Sequence, residues 1–240
     1  MSDYSTSTAY VVKEVRDVGF STLSGPLATE RFNTLRDAYD EAMAAAHEPH
    51  FKVGSTTTRL SNLLSFSPIF DEVFLHEPLL EACSEFMDGD FKLSSFLGRT
   101  LRAGTPAQAL HADLPRSSQD SPLLGFILMI DPFRNSNGAT RFVPGSHRWP
   151  GPPDDLMVGT RAPHPEEVLA CGEVGTLILF DGAIWHGHTA NTTSQGRRSI
   201  QGYFVRRAVR QGFDFRNGLP SQVQVRMSAL ARHVLALDGD

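Results

Sequence analysis

From Phe91 onward the chain is written in short apolar or alternating runs, at 96–101, 123–130, 139–143, 174–180 and 199–205, and this punctuation constrains the fold more than any other feature. Between the runs stand Asp131-Pro132, Asn137-Gly138, Pro144-Gly145, Gly172 and Gly196, residues that end strands and open turns. Short strands at such spacing predict a sandwich or jelly roll. Ahead of them, 27–45 places Phe32, Leu35, Tyr39 and Ala42 at three- and four-residue intervals behind Ser24, Gly25 and Pro26, which predicts an amphipathic helix covering a sheet. A second helix is predicted over 78–87, with Pro78 suited to its first turn and Gly89 just past its end. The expected organisation is a single domain over 1–240: helical support at about 1–90, a barrel at about 91–206 and an extension at 207–240. The connection 148–172 holds Pro150, Pro152, Pro153, Pro163 and Pro165 and is too long for a hairpin, so a lid over the barrel mouth is expected there, with a solvated excursion as the alternative.

Apolar residues at 40% and charged residues at 20% describe an ordinary globular chain. A net charge of -5, with Lys and Arg scattered, gives no footprint for nucleic acid. The opening MSDYSTSTAYVVKEV lacks the basic region and apolar run of a secretory signal, and no segment reaches the apolar length of a membrane span, so a cytoplasmic location is expected. Cys83 and Cys171 lie in unrelated contexts and predict neither a disulfide framework nor a thiolate metal site.

Two short elements carry chemistry. In Leu110-His111-Ala112-Asp113-Leu114, residues two apart on a strand share a face, so His111 and Asp113 could present an imidazole and a carboxylate to one ion; a solvated strand-end pair is the plainer alternative. In 177–188 an apolar strand delivers His186 between Trp185 and Gly187, where a rigid scaffold would display a ligand, or where a neighbouring carbonyl simply satisfies it. Two histidines and one carboxylate leave the opposite face of a metal open, which suits Fe(II) binding a chelating co-substrate and O2. Zinc with the same set would settle to four-coordination and act through bound water. Arg197 lies 197 − 186 = 11 positions beyond His186. If 187–196 turns and 199–205 returns as an antiparallel strand beside the one carrying His186, Arg197 points into the same barrel and could grip a carboxylate through two hydrogen bonds. Arg198 would then face outward; a surface position for Arg197 is the alternative.

The chain resembles the phytanoyl-CoA dioxygenase family of Fe(II)/2-oxoglutarate oxygenases. The resemblance rests on Gln108-Ala109-Leu110-His111-Ala112-Asp113, on Asn137-Gly138-Ala139-Thr140-Arg141-Phe142-Val143-Pro144-Gly145-Ser146-His147, and on Trp185-His186-Gly187 followed by Asn191 and Arg197-Arg198-Ser199-Ile200. It runs through nearly the whole chain in order, with 15–35 similar to the family's opening strand and helix. It implies a mainly β fold with flanking helices, a double-stranded β-helix of the jelly-roll or cupin-like barrel type. It further implies His111, Asp113 and His186 as iron ligands and catalytic centre, Arg197 as the 2-oxoglutarate anchor, and O2 as the oxidant. Asp113 stands where related halogenases have a small residue, which implies oxidation of the substrate, chiefly hydroxylation, with release of succinate and CO2.

His188 replaces the family's usual small polar residue two positions after the distal histidine. It is the rival ligand to His186, or a contact to the co-substrate carboxylate or to the substrate. Gln108 and Thr140 are candidate co-substrate contacts, or else satisfy backbone groups. His147 is expected to brace a tight turn by bonding to its loop; His47, His50, His76, His164 and His233 are read as surface or packing residues. Apolar residues expected near the opening, Phe51, Leu114, Trp149 and Met157, favour a small to medium organic substrate; charge and apolar run lengths predict no nucleic-acid or membrane partner, and the sequence assigns no oligomeric state. Two other classes stay open: a zinc-dependent hydrolase on the same triad, and a non-catalytic jelly-roll binding protein.

Overall fold

The computed structural model describes residues 7–114 and 122–239. In chain order it runs α1 (Thr8–Val18), β1 (Phe20–Ser24), α2 (Thr29–Ala45), β2 (Phe51–Val53), β3 (Thr57–Leu60), α3 (Asp71–Phe74), α4 (Glu77–Met87), β4 (Phe91–Leu101), β5 (Leu123–Met129), β6 (Thr140–Phe142), α5 (Pro153–Leu156), β7 (Val168–Ala170), β8 (Thr176–Asp181), β9 (His186–His188), β10 (Arg197–Arg206), α6 (Phe215–Gly218), α7 (Ser221–Val225) and α8 (Ala229–Val234). The strands form a seven-stranded sheet, β1-β8-β5-β10-β4-β3-β2, and a three-stranded sheet, β7-β6-β9, antiparallel at every pairing.

The sheets face each other. Phe142 of β6 stacks on Phe20 of β1 at 4.5 Å and tilts against Phe180 of β8 at 5.6 Å. This is the double-stranded β-helix, mainly β with flanking helices, but its ladders do not run from one sheet into the other among the described residues, so the expected barrel is open at its seams. Alternation with period two sorts each strand of the large sheet. On β8, Leu177 and Leu179 join the core under the helices while Ile178 and Phe180 join the inter-sheet core. On β10, Ile200 and Phe204 face the helices, which sends Arg197, Ser199, Gln201 and Tyr203 inward.

Helix α2 lays Phe32, Leu35, Tyr39 and Ala42 on the sheet, each buried, and each large apolar side chain so placed contributes roughly 1.5–3 kcal/mol. Helix α4 has Pro78 in its first turn and ends on Asp88 in the left-handed region. Helix α1 was not anticipated. It is capped by Ser7, whose side chain accepts from the Tyr10 N–H, and closed by Gly19 at φ 102°, whose N–H donates to Glu14 and Val15. Strands β2 and β3 also fall within the front third expected to be helical, and with β1, the opening strand that the resemblance implied, they lengthen the large sheet.

The connection 148–172, expected as a lid, is anchored to the small sheet. It contains α5 and β7, β7 pairs with β6, and the carbonyls of Thr160, Arg161 and Ala162 accept from the buried Arg141 guanidinium. The strand after residue 196 does not return beside His186: β9 belongs to the small sheet and β10 to the large one, so Arg197 reaches the interior from the opposite side. No helix among the described residues is long and apolar enough to cross a membrane.

Candidate metal centre

His111 stands in an extended segment outside the named strands, tied to β9 by an isolated antiparallel bridge. Its N–H donates to the His186 carbonyl at 3.0 Å and the His186 N–H donates back at 2.9 Å. Directly opposed residues of such a pair project to the same side, and the two imidazole centroids are 4.4 Å apart. The N–H groups of Asp113 and Leu114 both donate to the Gly182 carbonyl, at 2.8 and 3.0 Å, which turns the Asp113 carboxylate toward the imidazoles. Oδ1 lies 3.7 Å from His111 Nε2 and Oδ2 lies 3.4 Å from His186 Nε2. Donors at right angles about 2.1 Å from one ion are about 3 Å apart, so closing on a metal needs only a small contraction.

The tautomers suit that role. Nδ1–H of His111 donates to the Ala109 carbonyl at 3.2 Å and Nδ1–H of His186 to the Ile184 carbonyl at 2.9 Å, leaving both Nε2 atoms as acceptors. Burial beside the Phe180 and Phe142 rings, at 5.0 and 5.9 Å, pushes the His186 imidazole down to about 4, with Asp113 opposing the shift. It is therefore neutral at neutral pH. The three residues, with ligand atoms all within 4.8 Å of one another, could hold a metal ion. His188 is not among them: its Nδ1–H donates to the Thr189 carbonyl at 2.8 Å, and burial holds it near 4 as well.

A cavity of about 200 Å³ opens on the triad. Its lining includes the apolar Ile127 and Phe180 and the polar Gln108, Thr140, His188 and Arg197. Arg197 is 3% exposed, its guanidinium carbon 3.8 Å above the centre of the Phe133 ring, and its Nε and Nη1 have no partner. Burial, then the nearby Arg99, brings it down to about 9. Arg198 points the other way and grips Asp131 twice, at 3.0 and 2.6 Å, and Asp40 at 2.6 Å. The eleven-residue step is shaped by Asn191, fully buried, which donates to the Arg102 and Gln195 carbonyls and accepts from Thr193.

Other landmarks serve as scaffolding. Ser146 Oγ accepts from the Trp185 N–H at 2.8 Å and donates to the Val143 carbonyl at 2.7 Å, fixing the approach to His186. His147 bonds not to its own loop but to the end of α1, donating to the Arg16 carbonyl at 3.0 Å. Gly187 is required by close approach: a Cβ there would meet the Ala109 and Gln108 carbonyl oxygens at 3.2 Å.

Phe51, Leu114, Trp149 and Met157 do not line the cavity. Phe51 packs on the main core, Trp149 and Met157 pack around Trp185, and Leu114 lines a separate small pocket. Four polar cavity residues lie outside the set nominated from the sequence: Arg59 on β3, Arg99 on β4, and Gln201 and Tyr203 on β10. Gln201 and Tyr203 did carry a signal, the polar residue at every second position of β10 from Arg197 onward, whereas β3 and β4 show no such alternation around Arg59 and Arg99. Tyr203 donates to Asp113 Oδ2 at 2.7 Å.

The dioxygenase aneA of Aspergillus aculeatus is 29% identical over 194 residues, covering 76% of this chain and 64% of that protein. The dioxygenase trt7 of Aspergillus terreus is 32% identical over 207 residues, covering 80% and 70%. The chain spans about half to two thirds of the length of several such relatives. Among solved structures, HygX from Streptomyces hygroscopicus with nickel and 2-oxoglutarate bound aligns with a TM-score of 0.71 at 15% identity, covering 84% of this chain and 88% of that one. The epimerase SnoN in complex with Fe3+, alpha ketoglutarate and nogalamycin RO aligns with a TM-score of 0.70 at 17% identity, covering 89% and 90%. These likenesses establish the fold. The model of the phytanoyl-CoA dioxygenase (PhyH) family matches residues 15–199, well over half of the sequence, and the chain belongs to that family.

Proposed function

We propose that the protein is an Fe(II)- and 2-oxoglutarate-dependent dioxygenase that oxidises, chiefly by hydroxylation, a small to medium organic metabolite. One coincidence carries the reading: the donor atoms of His111, Asp113 and His186 converge at the same cavity into which a buried guanidinium, Arg197, brings two unpartnered nitrogens. A buried charge of that kind calls for an anion.

In this reading the two Nε2 atoms and the Asp113 carboxylate hold the iron, and Arg197 takes the far carboxylate of 2-oxoglutarate in a forked pair. Gln108 and Thr140 flank the co-substrate. His188, its Nδ1–H committed to Thr189, has an acceptor at Nε2, which suits a donor group better than a carboxylate. Bound iron and 2-oxoglutarate would supply the oxidation, with succinate and CO2 as co-products and one oxygen atom of O2 passing to the substrate. The chain's own residues orient the reactants, and Phe142 and Phe180 keep water from one flank of His186. HygX has also been crystallised with hygromycin B, and SnoN with nogalamycin RO, which supports a natural-product intermediate as substrate. A zinc hydrolase on the same triad would leave Arg197 without a task.

The test is anaerobic addition of Fe(II) and 2-oxoglutarate, watched for the weak visible charge-transfer band of the chelate, followed by succinate assay in air. Absence of both removes the oxygenase reading, and zinc-dependent ester or amide cleavage would replace it.

A further inference from the structure

The cavity carries more positive charge than one anchoring arginine provides. Arg59 on β3 and Arg99 on β4 are direct partners in antiparallel register, and both line the cavity. Like charges at such a pair of positions destabilise a sheet. On the next strand the partner of Arg99 is Ser199, which supplies no counter-charge. Arg99 is held loosely: Nη1 is 3.3 Å from Gln201 Oε1 and Nη2 is 3.4 Å from Gln108 Oε1, both neutral acceptors at the long limit of hydrogen bonding. Its Nε is buried with no partner. Burial and Arg59 bring Arg99 down to about 10, so it remains charged at neutral pH. Among the described residues, Asp113 is the sole carboxylate lining the cavity, and Tyr203 already holds its Oδ2.

We propose that Arg99, with Arg59 opposite it, forms a second carboxylate-binding subsite in the cavity, separate from that of Arg197. Register places Arg197 opposite Leu101, so its backbone is the diagonal neighbour of that of Arg99, about 7–8 Å away along the sheet. One carboxylate between Arg59 and Arg99 would relieve their repulsion and give the Arg99 fork a charged acceptor in place of two distant amides.

The inference rests on the oxygenase reading. The carboxylate has two possible sources, the metal-chelating end of the 2-oxo acid or the organic substrate itself, and the experiment separates them. The Fe(II)-loaded full chain is titrated anaerobically with 2-oxoglutarate and with 2-oxopentanoate, which keeps the 2-oxo acid end but lacks the far carboxylate. The 2-oxoglutarate complex is then titrated with cyclohexanecarboxylate and with its methyl ester. Wild type is compared with Arg99→Met, Arg99→Lys and Arg197→Met, with circular dichroism and iron content confirming that each variant is folded and loaded. If Arg99→Met does not fold, Arg99→Lys, which keeps the charge and loses the fork, takes its place.

Weakening of both 2-oxo acids by about tenfold or more in Arg99→Met, while Arg197→Met weakens only 2-oxoglutarate, supports the subsite and assigns it to the co-substrate. If both 2-oxo acids bind unchanged, but cyclohexanecarboxylate and not its ester shifts the band in wild type and loses that effect in Arg99→Met, the subsite belongs to the substrate. Unchanged binding of every probe in Arg99→Met overturns the proposal. Failure of wild type to form the band at all would instead sink the oxygenase reading, so the two failures are distinguishable.

Discussion

Replacing Arg141 by methionine removes a guanidinium that is 2% exposed and donates to five acceptors. Nη1 reaches the Ala162 carbonyl at 3.1 Å and Glu167 Oε2 at 3.0 Å; Nη2 reaches the carbonyls of Gln108 at 2.6 Å and of Thr160 and Arg161 at 3.3 Å. Methionine fills much of the space and satisfies none of these groups. The Glu167 side chain, 15% exposed, would be left as a largely buried charge. Breaking a buried pair from one side costs about 3–5 kcal/mol, a large share of the roughly 5–15 kcal/mol that holds a domain together. At roughly 2–4 °C per kcal/mol for a chain of this size, Tm should fall by about 6–20 °C. Glu167→Gln alone should cost much less, because four carbonyls still satisfy the guanidinium, and adding it to Arg141→Met should recover part of the loss. Calorimetric melting of the four proteins measures the cycle. A drop below about 2 °C in Arg141→Met, or strict additivity of the two changes, would refute the reasoning.

Tyr203→Phe removes the hydroxyl that steadies Asp113 and should weaken iron binding about 10- to 100-fold with little loss of Tm, as followed by metal competition titration. Gly187→Ala should push the 108–111 segment away from β9 and cost about 1–3 kcal/mol, read as lower stability together with lower iron affinity. Burial raises the Tyr39 phenol, and burial with Asp113 raises that of Tyr203, both well above the ordinary 10.0. Because the folded values lie above the unfolded ones, their contribution to stability is complete below pH about 10 and is lost as pH rises beyond it. Ultraviolet titration of the metal-free protein should therefore show two of the four tyrosines ionising only as the fold opens. Arg197→Ala should raise the 2-oxoglutarate requirement without emptying the metal site, whereas Asp113→Ala should weaken iron binding itself; iron analysis and co-substrate titration separate the two.

The periodic elements were legible because their signal is local. The stripe Phe32, Leu35, Tyr39 and Ala42 announced α2, and the runs after Phe91 located most of the strands. Strands β2 and β3, of three and four residues, are too short to display alternation. Helix α1 does carry local signs, Ser7 as cap, Val11, Val12 and Val15 on one face and Gly19 at its end. The triad could be nominated from spacing and resemblance, but which sheet carries Arg197 depends on pairing between distant strands. The contact of Tyr203 with Asp113 spans 90 positions, and the facing of Arg59 and Arg99 exists only once β3 and β4 are in register.

The division of β9 and β10 between two sheets gives the co-substrate a mechanical role. His186 belongs to the small sheet and Arg197 to the large one, so in the proposed site a 2-oxoglutarate molecule is a strut pinned at both ends across the gap between layers. At a hundred times its dissociation constant such a ligand stabilises the folded state by about 2.7 kcal/mol. A strut resists the parting of the sheets, so amide exchange should slow on both of them together. 2-Oxopentanoate, fastened only at the metal, should quieten the small sheet and leave the Arg197 end of β10 as restless as before.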